Sequence, residues 1–256
     1  MKHRHHNANQ GSLFDDEDPN ALPPLRFGKD GWTVREVPIH TGREWVGQWH
    51  YSNRMPGTGN HCWGVFAPTD MIACVVLSLP NNPHGVATRY GLETWQGNRE
   101  ISRVVAHPDA PKNTVSRAIA LVLAEHHRQK GWEWVFSYAD TGQNHHGGIY
   151  QALNAVYVGL TASHAGYTLN GQPIHSRTLT AVYGTSAWPR IRDMLAQMGK
   201  GELVRIPDAE SRKHTYILPF GGPASRRAIR NALKPYARPY PKRDSADMVR
   251  SHEADR

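Results

Sequence analysis

The chain has 256 residues, of which 39% are hydrophobic and 20% charged, and a formal net charge of +8. That length suits one sizeable domain with appendages, and the positive charge favours an anionic partner. No run of about 18 apolar residues occurs, and the start, MKHRHHNANQGSLFDDEDPN, has no apolar centre, so neither a membrane-spanning helix nor a signal peptide is expected and the protein is assigned to the cytoplasm.

In chain order, residues 1–26 read as a disordered, polar tail. GWTVREVPI (31–39) alternates like a strand, and TGREWVGQWHYS predicts a short helix capped by its threonine. HCWGVFAPTDMIACVVLSLP (61–80) predicts two apolar strands joined by a Pro-Thr-Asp turn, with Cys62 and Cys74 as reduced core residues. EISRVVAHP (100–108) is a further strand. Val115, Ala118, Ile119, Val122 and Leu123 then recur at helical spacing as far as Gln129, and Gly131 ends that helix. WEWVFSYAD (132–140) is the next strand and HGGIYQALNAV a short helix, followed by a segment with a Leu-Asn-Gly-Gln hairpin turn. Beyond it the pattern predicts helix 187–198, strands 202–206 and 214–219, and helix 223–233. Strands alternating with helices predict an α/β fold, a mixed central sheet flanked by helices, occupying 27–234. Its C-terminal basic extension begins at about 186, and a basic, proline-rich tail covers 235–256.

Charge is distributed unevenly. From Ser211 to Arg243 the chain carries nine lysines and arginines and no acidic residue, with Tyr216, Phe220, Tyr236 and Tyr240 interleaved. Cations for phosphates and aromatic faces for bases are what a nucleic-acid groove uses, so Arg226, Arg227, Arg230 and Lys234 are the expected DNA contacts. The alternative is a solvated basic tail.

The junction HPDAPKNTVSRAIALVL (107–123) leads from a strand into a helix, where a phosphate-gripping enzyme would place a glycine-rich turn. Here Pro111, Asn113, Thr114 and Ser116 stand instead. Asn113 can cap the helix, leaving its first amides and the Ser116 hydroxyl to face an anionic donor at the positive end of the helix dipole. The alternative is a plain cap with Ser116 on a polar face.

The order of elements, with Tyr150 on the short helix and VGL (158–160) after it, resembles the GNAT acyltransferase superfamily. Six motifs in the same order, WHYSNRMP (49–56), HCWGVF (61–66), EISRVV (100–105), APKNTVSRAI (110–119), SYAD (137–140) and GGIYQALN (147–154), make the chain similar to the Mom family of phage DNA-modification proteins over about residues 31–185. The resemblance implies a transferase that places a carbamoylmethyl group on the exocyclic amine of adenine in double-stranded DNA inside the infected host cell, which shields phage DNA from restriction. A small-molecule donor of unknown identity would occupy Asn113, Thr114 and Ser116; the missing glycine turn argues against coenzyme A.

The catalytic set implied is Asp140, Tyr150, Ser116, Arg103, His50 and Tyr51. Asp140 closes a strand at the carboxyl edge of the sheet and would orient or deprotonate the amine, though it could equally bond the backbone of Gly142 or Asn144 in a turn. Tyr150 would protonate a leaving group, or else be a core tyrosine. Arg103, between apolar residues, calls for an anionic partner. His50 competes with a role as a helix C-terminal histidine. His50, His61, His145, His146 and Asp140 could ligate a metal but show no tight ligand spacing; the family link to iron implies His50, Tyr51 and Asp140. Stacking on an extruded base falls to Tyr51, Trp63 and Tyr138. An ordinary coenzyme A-dependent acyltransferase and a non-enzymatic DNA-binding protein are the rival readings.

Overall fold

The computed structural model describes residues 24–27, 31–57, 60–68, 70–80, 82–92, 99–162, 164–174, 176–185, 187–210 and 212–242. Of the tail expected over 1–26, residues 1–23 lie outside these, while Leu25 and Arg26 belong to strand β1 (Leu25–Phe27), paired antiparallel with β2 (Trp32–Val37). Ser211 and Arg243, which bound the basic stretch, are outside as well.

Helix α1 (Ile39–Trp49) begins two residues before Thr41 with Pro38 at its N-cap, so the threonine cap is corrected: Thr41 lies buried inside the helix. Proline suits this position because its missing amide would go unbonded at a helix start. The apolar hairpin forms as expected from β3 (His61–Ala67) and β4 (Asp70–Ser78). Helix α2 (Pro83–Arg89), capped by Asn82, is an addition to the predicted elements. Strand β5 (Arg99–Ala106) feeds α3 (Thr114–Lys130), which ends at Gly131 with φ 66°. Then come β6 (Trp134–Asp140), a 3-10 turn (Thr141–Gln143), α4 (Gly148–Ala152) and β7 (Val156–Leu160). The chain continues through β8 (His164–Leu169), β9 (Gln172–Ile174), α5 (Ser176–Tyr183), α6 (Trp188–Gln197), β10 (Leu203–Glu210), β11 (Lys213–Pro219) and α7 (Pro223–Leu233).

Among the described residues an eight-stranded sheet runs β1-β2-β3-β4-β5-β6-β11-β7, and a three-stranded sheet runs β10-β8-β9. The first is mixed, since β4 meets β5 antiparallel and β5 meets β6 parallel. Five consecutive residues of β3 and six of β4 are buried, because helices cover both faces of the sheet. On one face Val46 of α1 joins Cys62, Phe66, Cys74, Val76 and Val105. On the other, Trp63 meets His126 of α3. The approach of α1 is close at Gly42, where a Cβ would come 2.5 Å from the Cys62 sulfur.

The chain divides into two compact units: Met1–Tyr138, Gly148–Val158 and Tyr216–Pro239 form one, and Ala139–Gly147, Gly159–Thr215 and Tyr240–Arg256 the other. The first is held by the core just described and by a second cluster in which Ile229 and Leu233 of α7 pack with Trp134, Phe136 and Ile217. The second has its own core of Leu179, Ile191, Leu195 and Leu203. Its hairpin turns at Asn170 and Gly171, both at positive φ (53° and 77°), which is the backbone a two-residue turn of this kind requires.

Candidate active site

The first unit gathers most of the expected residues where β5 and β6 part. Their parallel ladder pairs Arg99 with Val135, Glu100 with Phe136 and Ile101 with Ser137, and among the described residues it stops there. On the β4 side the register shifts between Val76–Arg103 and Leu77–Ile101, which makes Ser102 the extra residue of a bulge. Its hydroxyl donates to the Val76 carbonyl at 3.1 Å. A bulge bends the strand that carries it, so β5 turns at the same level at which its pairing with β6 ends.

Arg103 follows the bulge. Its Nε donates to the Arg54 carbonyl at 2.8 Å and Nη1 to the Ser102 carbonyl at 2.5 Å. These bonds use two of its five N–H donors, and Tyr51 and Glu100 are its electrostatic neighbours. Arg103 thus ties the segment after α1 to β5. Burial pulls its guanidinium below the usual range, and Tyr51 and Glu100 oppose that shift.

Tyr150, on α4, is buried, with Ser137 among the residues that influence its phenol. Burial, with smaller contributions from Glu100, Tyr51 and Tyr216, pushes it up to about 12, so the phenol holds its proton at neutral pH. Tyr216 packs beside it with ring centroids 5.4 Å apart. Its burial is that of the core tyrosine expected as the alternative to an acid.

His50 is the C-cap of α1, and its ring stacks on Tyr51 at 4.3 Å. Nδ1 of His50 bonds the Ser52 hydroxyl at 2.8 Å and accepts from the Ser52 amide at 3.1 Å. Tyr51 is 51% exposed and can meet a base. Trp63 is corrected as a stacking residue. Trp63 has no exposed surface and gives its indole N–H to His126, while Tyr138 is half-buried against Phe136.

The loop before α3 also departs from expectation. Asn113 adopts the left-handed conformation (φ 66°) and makes no side-chain cap, so the expected asparagine cap is corrected. Asparagine tolerates this conformation because its short polar side chain costs little there. Thr114 Oγ1 donates to the Pro111 carbonyl at 2.7 Å, and Ser116 Oγ donates to the Asn113 carbonyl at 3.1 Å. Both hydroxyl protons are spent on the loop itself, which leaves Ser116 an oxygen acceptor rather than a donor towards an anion.

In the second unit Asp140 ends β6 and caps the 3-10 turn, its Oδ1 accepting from the Gly142 amide at 2.9 Å. The turn role expected as an alternative is present. His145, whose amide bonds the Asp140 carbonyl at 3.0 Å, is held below the usual histidine range by burial, with Asp140 opposing and His146 reinforcing.

Iron finds little to hold it. Among the described residues no three His, Cys, Asp or Glu side chains group as metal ligands. Nδ1 of His50 is engaged by Ser52, and His61, the other histidine of the first unit considered as a ligand, bonds Glu36 at 3.1 Å. The expected set of His50, Tyr51 and Asp140 includes a phenol outside that grouping, the bond to Ser52 does not use Nε2 of His50, and no catalytic step is assigned to iron.

The expected DNA contacts lie on α7 and its end. Arg226, Arg227 and Arg230 are exposed, with Arg230 donating to the Asn154 carbonyl at 2.8 Å, and Lys234 is the C-cap. A cavity of about 730 Å³ lined by Leu92, His127, Trp134, Ser225 and Ile229 opens at the other end of β6 and includes none of the expected residues.

Comparison with known proteins gives three findings. A family model described as the Mom protein family matches residues 31–242. The methylcarbamoylase mom of Escherichia phage Mu is 31% identical over 159 residues, which are 59% of this chain and 65% of that protein, so the chain spans just under two thirds of its length. Among solved structures, a spermidine N-acetyltransferase variant from Vibrio cholerae matches 75% of this chain and 95% of its own, at 8% identity and a TM-score of 0.43. The ribosomal-protein-S5-alanine acetyltransferase from Vibrio fischeri matches 77% and 97%, at 9% identity and a TM-score of 0.42.

Proposed function

Since the chain belongs to the Mom protein family, we propose that it transfers a carbamoylmethyl group from a small-molecule donor to the exocyclic amine of adenine in double-stranded phage DNA. The observation that carries this reading is the family match over residues 31–242, which takes in β5, β6, α4 and α7 together. Among the described residues no helix is long and apolar enough to cross a membrane.

The amine of adenine is a weak nucleophile, its lone pair delocalised into the ring, and in a duplex it is paired. Extrusion of the base costs a few kcal/mol, offset by stacking and by phosphate contacts. Tyr51 supplies the exposed ring and Arg226 and Arg227 supply the cations. In the transfer, the amine nitrogen bonds to the donor's methylene carbon as that carbon's bond to the leaving group breaks. Asp140 takes the proton lost by nitrogen, and Tyr150, kept protonated by its burial, gives one to the leaving group. Arg103 holds the segment bearing Tyr51 against β5.

The test is mass spectrometry of nucleosides from plasmid DNA co-expressed with the protein. A deoxyadenosine heavier by one carbamoylmethyl group is expected. Only unmodified nucleosides and ordinary methyl marks from a well-expressing strain would refute the reading.

A further inference from the structure

Aromatic rings crowd the end of α1. Trp45 and Trp49, one helical turn apart, lie with ring centroids 6.2 Å apart, and Trp49 meets His107 edge to face at 4.8 Å. Trp49 still leaves 36% of its surface open. His107 follows directly on β5 and is pinned in three ways. Its amide donates to the Ile72 carbonyl at 2.8 Å, its carbonyl accepts from the Ala110 amide at 2.9 Å, and its Nδ1 accepts from the Asp109 amide at 3.2 Å. An Nδ1 that accepts leaves the proton of the neutral ring on Nε2. That N–H has no partner among the described residues, and the Asp109 carboxylate stands on the Nδ1 side, 3.5 Å away. Four residues back along β5, Arg103 bonds the Arg54 and Ser102 carbonyls through Nε and Nη1 and makes no bond through Nη2 among the described residues. The segment from Trp49 to Arg54 is thus tied to β5 at both ends, with Tyr51 between the ties.

We propose that Trp49 and His107 form a clamp for one nucleotide of the DNA strand next to the extruded adenine, the indole stacking on its base and the His107 Nε2–H donating to its phosphate. The inference rests on the reading of DNA as substrate given above. A stack suits a neighbour of any identity, since every base has a π-face. Charge favours a phosphate-bearing partner here. The segments 49–56 and 107–113 carry Arg54 and Lys112, both exposed, against the single carboxylate of Asp109, and Arg103 adds its Nη2 donors. An apolar protein segment would suit the indole and leave these cations unmatched. The contacts with His107 and Trp45 hold the Trp49 ring before DNA arrives, so little freedom is lost on binding. Because Tyr51 lies between the two ties, a nucleotide gripped at Trp49 fixes where along the strand Tyr51 meets its base.

The experiment is fluorescence anisotropy with two fluorescein-labelled single strands, one of mixed sequence and one with abasic sites in place of its bases, at several salt concentrations and with no donor present. On the mixed strand Trp49→Ala should weaken binding about 10-fold, the scale of one lost stack, and leave the salt slope unchanged, because the ring meets no phosphate. Trp49→Leu keeps an apolar group against His107 without a flat face and should behave alike, so a disturbed α1 in the alanine variant does not decide the matter. Trp49→Phe should retain most of the affinity. On the abasic strand wild type and Trp49→Ala should bind alike, whereas His107→Ala should weaken binding to both strands about 10-fold, the scale of one hydrogen bond to a charged group. Equal losses on both strands for Trp49→Ala would show a structural role and overturn the stack, as would wild-type affinity for both Trp49→Ala and Trp49→Leu. Wild-type affinity for His107→Ala would overturn the phosphate contact. Since no transfer occurs in this assay, its outcome is separate from that of the nucleoside analysis: unmodified plasmid DNA would refute the reaction with the clamp intact, and a failed clamp would leave the reaction standing.

Discussion

The indole N–H of Trp63, on β3, donates to Nε2 of His126, on α3, across 3.2 Å in the buried layer between sheet and helix. Indole can only donate, so Nε2 must be the acceptor and the imidazole proton sits on Nδ1. That nitrogen is buried with no partner. The ring also stacks on Trp132 at 4.4 Å. A neutral imidazole is thus built into the packing, and protonating it would break the bond from Trp63.

A dependence of stability on pH follows. Burial, then His61, push His126 down to about 4, with Glu36 opposing and Lys130 and Arg99 adding to the shift. An unfolded histidine titrates near 6.5, so between about 6.5 and 4 the unfolded chain binds a proton that the folded chain refuses. The contribution is fully present above about 6.5 and is lost as pH falls towards 4, amounting to roughly 3 kcal/mol. Urea denaturation at pH 7.5 and pH 5 should show this loss, and His126→Gln, which keeps an acceptor for Trp63 but does not titrate, should reduce it. An unchanged pH dependence in the variant would show that other groups govern it.

Tyr150→Phe and Asp140→Asn should each slow adenine modification about 100-fold, the usual scale for losing a positioned acid or base. Asparagine retains a side-chain oxygen for the Gly142 amide and so separates the turn from the charge. Melting temperatures near wild type should accompany both losses. Modification at the wild-type level in either variant would take that residue out of the mechanism.

Replacing Arg226 and Arg227 by Ala should weaken duplex binding about equally for every sequence and flatten the dependence of log affinity on log salt by up to about 0.9 per lost phosphate contact. Arg230→Ala should do the same and also destabilise the fold by about 1 kcal/mol, because its guanidinium bonds the Asn154 carbonyl. Anisotropy titrations at several salt concentrations check the first statement and thermal melts the second. A wild-type salt slope in the triple variant would mark this face as solvated surface only.

Acetyl-coenzyme A should leave the melting temperature unchanged, because the loop before α3 spends the Thr114 and Ser116 hydroxyl protons on its own carbonyls and has no glycine at Asn113. Stoichiometric binding in calorimetry would overturn this and favour an ordinary acyltransferase.

Gly42→Ala should destabilise the protein by about 1–3 kcal/mol, although alanine is the better helix former. The added carbon would lie 2.5 Å from the Cys62 sulfur, on a packed strand. Since α1 ends at His50 and Tyr51, a shift of the helix should also lower modification. Wild-type stability would mean that α1 can move off β3 freely.

Local pattern in the sequence was enough for the elements whose partners lie close along the chain. The β3–β4 hairpin, the stop of α3 at Gly131, the Asn170-Gly171 turn and α7 are decided by apolar runs, by period and by residues that accept positive φ. The motifs were likewise sufficient for the family. What depends on atoms distant in the chain was settled only by tertiary structure. Asn113 looks like a cap in one dimension, yet the loop takes it into the left-handed region and turns its side chain to no cap at all. Trp63 reads as a stacking surface until α3 covers it and His126 accepts a hydrogen bond from its indole N–H. Arg103 stands in an apolar strand, and its bond to the Arg54 carbonyl, 49 residues away, is visible only in space. Ser137 is an unremarked polar residue until the end of the β5–β6 ladder sets it opposite Ile101, whose carbonyl takes its hydroxyl. Each of these outcomes turns on a buried donor finding its acceptor, and a hydrogen bond is decided by distance and direction in space, which spacing along the chain does not specify.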